Sequence, residues 1–211
     1  MELFIGSGLL LSTIMLFQIR KIVDSVAILT LQSLLLSLTA AAMWYKTGIT
    51  HLLLAAGFTL AVKGILIPAI LYYTIKKIGV RREVERYTSQ YTSLLVALVL
   101  SAVGYYIAAQ LNLPSKELGK TYLPVSVIMI FLGTFIMIDH KKAIMQGVGL
   151  ITIENGIFLI AESIAYGMPM VVEFGVFFDL LVSVVVIGIL MFRIYSTFDS
   201  LSTENMQNLK G

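Results

Sequence analysis

The chain contains no cysteine and only two histidines. Without cysteine it holds no disulfide, no Cys-ligated zinc and no Cys-ligated iron–sulfur cluster of its own. The histidines, His51 and His140, fall at predicted ends of different helices, and no GxGxxG, GxxxxGK[ST] or HExxH motif occurs. We therefore expect no catalytic, cofactor-binding or metal-ligating residues in this chain.

Charged residues are also scarce, at 13% of 211 residues, whereas hydrophobic residues make up 58%. Soluble domains are about 25% charged and about 45–50% apolar. The composition therefore predicts an all-α, polytopic membrane protein embedded in a lipid bilayer. The net charge of +3 is small and lies in predicted loops, so it indicates membrane orientation and not nucleic-acid binding.

Seven apolar segments are long enough to cross a bilayer as helices, at about 20 residues per span. They are predicted at 2–19, 24–45, 51–75, 91–111, 121–139, 143–165 and 170–193. The third is long and contains Pro68, which we expect to kink the helix. We expect the first to be a retained helix and not a cleaved signal peptide, because its first positive charges, Arg20 and Lys21, follow the apolar run.

The positive charges predict how these helices are oriented. With the N-terminus outside, the cytoplasmic connections and the C-terminal end carry eleven of the 15 Lys and Arg residues, and the outer connections carry three. Because positive residues favour the cytoplasmic side, the sequence predicts an outside N-terminus and a cytoplasmic C-terminus. The long charged connection, 76–90, is predicted to be a solvated loop, with a docking surface for a soluble partner as the alternative.

Two carboxylates lie in the sixth segment. A carboxylate at the centre of a membrane helix costs about 2.5–3.5 kcal/mol on insertion scales. Glu154 lies near that centre, so we expect it to handle protons or pair with a cation; a protonated, hydrogen-bonded packing role is the alternative. Glu162 follows two turns later on the same helix face, where it either shares the function or snorkels to the outer surface.

Further ionisable residues lie in the seventh and third segments. Asp179 is near mid-depth with little polar company in its own helix, so it needs a partner from elsewhere. Glu173 is closer to the outer end, where interfacial solvation explains it equally well. Lys63 lies too deep for its stem to reach either surface easily. We expect a relay or charge-tuning group there, or a structural ion pair with Asp179, Glu154 or a neighbouring chain.

Small and polar residues on the spans support close helix contacts. Glycines 147, 149 and 156 let neighbouring helices approach the segment that carries Glu154. Other polar side chains either bridge the charged sites through water or join helices: Gln32, Ser33, Ser37, Thr39, Thr59, Thr134, Gln146 and Ser183.

The segments GLITIENGIFL (149–159) and MPMVVEFGVFFDLLV (168–182) resemble the E component of hydrogenase-4 and formate hydrogenlyase-2 type complexes, a family of small seven-span membrane subunits. In length and span number the resemblance covers the whole chain. The last three spans also resemble the K subunit of respiratory complex I and the C subunit of multi-subunit Na⁺/H⁺ antiporters. The implied division is a four-helix part (1–115), a K-like three-helix part (116–196) and a polar tail (197–211).

The resemblance to the K subunit is most specific around Glu154. In that family a basic pair precedes a glutamate in a Gly-Leu-Glu…Asn context. Here Ile151 occupies the position of the glutamate and Glu154 lies one turn later, which implies the same role at a different height. The second carboxylate of the K subunit corresponds to Asp179, with Glu173 as the rival. The residues that match the frame are Lys141, Lys142, Gly149, Leu150 and Asn155.

The resemblance implies a non-catalytic membrane subunit of an energy-converting, complex I-like hydrogenase in a prokaryotic cytoplasmic membrane. Its implied partners are antiporter-like and other membrane subunits, and a soluble hydrogenase-type arm that carries the [NiFe] centre and iron–sulfur clusters. The intramembrane charges would then serve redox-coupled translocation of H⁺ or Na⁺. The alternatives are a subunit of a multi-subunit Na⁺/H⁺ antiporter without a redox arm, a structural scaffold subunit, and a free-standing transporter.

Overall fold

The structure, a computed structural model, describes residues 2–78, 84–111 and 117–165, together with Gly188. These residues form helices and no β-strand, which confirms the all-α prediction for this part of the chain. The predicted seventh span and the polar tail lie outside it. The elements are α1 (Glu2–Met15), α2 (Ile22–Thr47), α3 (Thr50–Phe58), a π-helical segment (Thr59–Leu66), α4 (Ile67–Ile78), α5 (Gln90–Gln110), α6 (Glu117–Asp139) and α7 (Ala143–Ala165).

Within the described residues, five helical stretches are long and apolar enough to cross a membrane, so the chain is a multi-pass membrane protein. They are Ile22–Thr47, Thr50–Lys76, Gln90–Gln110, Thr121–Asp139 and Ala143–Glu162. The first predicted span is shorter than expected, because α1 has 14 residues and a rise of about 21 Å. Leu16 and Phe17 leave the helix in a turn and are fully buried. The count of seven spans and the orientation stay predictions.

The helix ends gather into two groups. Glu2 at the start of α1 forms an ion pair with Lys46 at the end of α2, so these termini lie at the same end of the bundle. At the other end, residues 84–89 run across the helix ends without forming a helix. There the amide of Tyr87 donates to the carbonyl of Asp139 in a 2.8 Å hydrogen bond.

Helices α6 and α7 touch through glycines. A Cβ atom at Gly149 would lie 2.7 Å from the carbonyl oxygen of Gly133, and one at Gly156 would lie 2.8 Å from that of Ser126. No side chain fits at such distances, so the predicted close approach is confirmed for these two positions. Helix α7 is also the most enclosed of the five spans, because 61% of its most apolar 18-residue stretch is buried inside the protein. In α5, at the edge of the bundle, the buried share is 22%.

A π-helical segment ends at Leu66, just before Pro68, and the kink expected at Pro68 stays a prediction. The amide of Ile67 donates to the carbonyl of Val62, five residues earlier. With the same five-residue offset, the carbonyl of Lys63 would accept a hydrogen bond from the amide of residue 68. That residue is a proline, which has no amide hydrogen. The hydroxyl of Ser33 on α2 supplies a donor at 3.0 Å. The neighbouring helix therefore compensates the backbone at Lys63.

Candidate intramembrane charge site

Lys63 and Glu154 meet in the middle of the membrane helices. The distance from Lys63 Nζ to Glu154 Oε1 is 3.3 Å, and the exposed fractions of the two side chains are 0% and 14%. Lys63 lies 13 residues from either end of Thr50–Lys76, and Glu154 lies 11 residues from either end of α7. The structure thus brings together two of the predicted site residues, which we call the central pair.

Two further groups on α7 contact the ammonium group of Lys63. It donates to Oδ1 of Asn155 at 3.3 Å, and it lies 5.2 Å from the centre of the Phe158 ring. The positive charge therefore faces a carboxylate, an amide oxygen and an aromatic face. Phe158 was not predicted as part of the site, although its four-residue spacing from Glu154 places both on one helix face.

A chain of hydrogen bonds fixes the orientation of Asn155. Its side-chain amide donates to Gln32 Oε1 at 3.2 Å, and Gln32 Nε2 donates to Thr13 Oγ1 at 3.1 Å. The Thr13 hydroxyl donates to the backbone carbonyl of Leu9 at 2.8 Å. Asn155, Gln32 and Thr13 each donate to the next group in this chain, which ends on α1. The side-chain oxygen of Asn155 therefore remains available to accept a hydrogen bond from Lys63. Gln32 was predicted either to bridge the charged sites through water or to join helices, whereas Thr13 was not identified.

Glu162 lies inside the bundle and does not reach the surface. Its exposed fraction is 2%, and Thr39 on α2 donates to its Oε2 at 2.6 Å. Snorkelling therefore does not describe this side chain. Helix geometry places it about 12 Å along α7 from Glu154, on the same face.

The two carboxylates predicted in the seventh segment, Asp179 and Glu173, lie outside the described residues. Their relation to the central pair stays a prediction. Among residues 2–78, 84–111 and 117–165, no group of three or more His, Cys, Asp or Glu side chains could hold a metal ion.

A second polar cluster lies at the end of the bundle that carries residues 84–89. Asp139 is buried and accepts hydrogen bonds of 2.6 Å from the hydroxyls of Thr88 and Ser93. Burial lowers the pKa of His140, and the nearby charge of Arg86 acts in the same direction. Burial also lowers the pKa of Arg86, which Asp139 partly opposes. These contacts fix part of the charged connection against the helix ends.

Comparison with known proteins bears on the family. No protein-family model matches the chain, and no solved structure matches it. Hydrogenase-4 component E of Escherichia coli K12 is 23% identical over 203 residues, which cover 96% of this chain and 94% of the relative. Hydrogenase-4 component E of Shigella flexneri gives the same values. These matches support a hydrogenase-4 component E-like family.

Another relative extends the similarity beyond proteins with this name. An uncharacterized protein of Mycobacterium tuberculosis is 22% identical over 208 residues, which cover 98% of this chain and 94% of the relative. The matches to hydrogenase-4 component E confirm the resemblance that we inferred from the segments 149–159 and 168–182. The resemblance of the last three spans to the complex I K subunit stays a prediction.

Proposed function

We propose that this protein is a non-catalytic membrane subunit of an energy-converting, complex I-like hydrogenase and that its central pair serves redox-coupled translocation of H⁺ or Na⁺. The similarity to hydrogenase-4 component E and the apolar helices support membership of such a complex. The observation that carries the ion-coupling role is the pairing of Lys63 with Glu154 at mid-depth. The [NiFe] centre and iron–sulfur clusters belong to partner subunits in this proposal.

A buried ion pair is an expensive way to join two helices. Moving each ion out of water costs several kcal/mol, and an apolar pair of similar volume is often equally stable or more stable. The central pair has a property that an apolar pair lacks. A proton moving from the Lys63 ammonium to the Glu154 carboxylate leaves an amine and a carboxylic acid, so the pair changes state without changing its net charge. A charge that arrives on an adjacent subunit shifts that balance.

The test is Glu154→Gln in the whole complex, reconstituted in vesicles, with hydrogen turnover and ion translocation measured together. Glutamine keeps the shape of the side chain and an oxygen that accepts from Lys63, but it cannot take up a proton. In the complexes that assemble, we expect normal hydrogen turnover and a large loss of ions moved per turnover. Glu85→Gln is the matched control, because its side chain is 47% exposed at the end of the bundle.

The outcomes separate the three functions. Unchanged translocation by a fully assembled Glu154→Gln complex would remove the central pair from the mechanism and favour the structural scaffold. Purification of the chain with antiporter-like subunits but without hydrogenase-type proteins would favour the Na⁺/H⁺ antiporter. In that case the same variant would be tested for ion exchange alone.

A further inference from the structure

Tyr122 on α6 carries a buried hydroxyl that the proposed function does not use. Its side chain is fully buried, and the hydroxyl has no hydrogen-bond partner within the described part of the chain. Leaving such a group unsatisfied costs about 1–3 kcal/mol. Buried polar groups without a protein partner are commonly bonded to an internal water. An internal water at this position would satisfy the hydroxyl.

One side of Tyr122 faces the charged terminus of α1. Its Cδ1 atom lies 3.8 Å from the position of a Cβ at Gly6, so the ring packs on α1. Glu2 lies one turn before Gly6 on the same face and pairs with Lys46. The exposed fractions of these side chains, 21% and 55%, place the Glu2–Lys46 pair, here called the terminal pair, at the surface end of the bundle.

Tyr122 also shares a buried cluster with Phe158 and Leu159 of α7, which lie within one turn of Glu162. Glu162 is itself buried, where Thr39 holds one of its oxygens. Ionisable or hydroxyl groups thus follow one another from the central pair through Glu162 and Tyr122 to the terminal pair.

The hydrophobic cluster around Tyr122 is made of side chains from α1, α2, α3, α6 and α7. They are Ile5, Leu9, Leu36, Met43, Leu52, Val125, Met129, Phe158 and Leu159. A water molecule in these surroundings needs polar partners to be stable, and the phenol and the carboxylate provide them.

We propose that Glu162 and Tyr122 form a water-assisted proton route between the central pair and the terminal pair. This inference rests on the proposed function. A proton leaves the carboxylic acid of Glu162, passes through water to the oxygen of Tyr122, and the phenol releases its own proton toward the carboxylate of Glu2. The phenol stays neutral because a hydroxyl accepts and donates at the same time. Glu162 regains a proton from the central pair, about 12 Å away along α7, through further water.

The first test is Tyr122→Phe in the vesicle-reconstituted complex. This change removes one oxygen and no hydrogen bond to the described protein, so we expect normal assembly and hydrogen turnover. Ions moved per turnover should fall to the level of Glu154→Gln. Tyr105→Phe is the matched control, because that side chain is 62% exposed on α5.

The comparison of variants separates this route from the proposed function. A loss with Glu154→Gln but none with Tyr122→Phe would overturn the route and leave the central pair in the mechanism. Normal translocation by both variants would overturn both. A loss with both, and none with Tyr105→Phe, is the expected result.

The second test detects the water directly in the whole complex. X-ray radiolysis creates hydroxyl radicals from bound water, and mass spectrometry then locates the oxidised side chains. We expect oxidation of Tyr122 but not of Phe17, an equally buried ring that stacks on Phe135 in an apolar cluster. Protection of Tyr122 to the same degree as Phe17 would overturn the route.

Discussion

At the scale of single residues, Lys63 shows how a charge is kept at membrane depth. Its carboxylate, amide and aromatic neighbours all come from α7, so one helix supplies the groups that compensate the lysine. Removing one partner of a buried ion pair typically costs about 3–5 kcal/mol, because the other charge is left unpaired. Replacing both partners with apolar residues avoids that cost.

We therefore predict opposite effects for Lys63→Met alone and for Lys63→Met combined with Glu154→Met. The single change should lower the free energy of unfolding by about 3–5 kcal/mol and reduce the amount of assembled complex. The double change should restore most of both. Thermal unfolding of the purified complex and quantification of its subunits measure these effects. Equal stability of the single variant and the unaltered protein would show that the two charges are not coupled.

The sequence predicted which ionisable residues lie at mid-depth, but it did not predict which of them pair with one another. Lys63, Glu154 and Asp179 all lie near the centres of apolar segments, and depth alone does not say which helices are neighbours. Tyr122 gave no signal in the sequence, because a tyrosine among apolar residues is an ordinary packing residue. Its significance depends on the surroundings of its hydroxyl, which only the assembled helices define.

At the scale of elements, the π-helical segment is where local sequence and tertiary contact act together. Pro68 predicts an irregular helix, because it lacks an amide and clashes with the preceding turn. We expected a kink on this basis, and the π-helical segment before Pro68 was not foreseen. That outcome involves Ser33 on another helix, whose hydroxyl bonds the Lys63 carbonyl at 3.0 Å.

We predict that Ser33→Ala is more harmful than Ser37→Ala. Both serines lie on α2 and donate to carbonyls of the adjacent span, Ser33 to Lys63 at 3.0 Å and Ser37 to Ala56 at 2.9 Å. The carbonyl of Ala56 also accepts the amide of Thr59. Loss of Ser33 should therefore cost about 1–3 kcal/mol, the range for an unsatisfied buried acceptor, and loss of Ser37 less.

Thermal unfolding of both serine variants in the same detergent provides the comparison. The Ser33→Ala variant should also translocate fewer ions, because the backbone that carries Lys63 loses its hydrogen bond to α2. Equal melting temperatures for the two variants would contradict the role of Ser33 at Pro68.

The sequence predicted only the α7 side of the contact between α6 and α7. Glycines 149 and 156 indicated a helix that others approach closely, and the structure confirms it. The partner position, Gly133, drew no attention, because a single glycine in an apolar helix has no periodic signature. The pairing of two particular helices depends on complementary surfaces and not on either helix alone.

At the scale of the whole molecule, the charges of the connections are divided between two ends. The terminal pair occupies one end, and the other carries residues 84–89 with Asp139 and His140. This division agrees with the way the positive-charge count groups the connections, although it does not say which end faces the cytoplasm. The absence of cysteine makes the orientation simple to measure.

We predict that a maleimide reagent that cannot cross membranes, added outside intact cells, labels Thr50→Cys but not Gln18→Cys. Both side chains are exposed and lie at opposite ends of the bundle. The prediction follows from the excess of Lys and Arg in the connections at the Gln18 end. Labelling of both in lysed cells is the control for reactivity. Labelling of Gln18→Cys alone in intact cells would reverse the orientation.

The central pair also constrains how the protein is made. Lys63 is synthesised 91 residues before Glu154, so at about 5–20 residues per second its helix waits about 5–20 seconds for the carboxylate. During that interval the lysine has none of the three α7 groups that later surround it. A nascent chain that stops before α7 therefore leaves Lys63 without these partners. The ion pair between Lys63 and Glu154 therefore forms only after α7 has been synthesised.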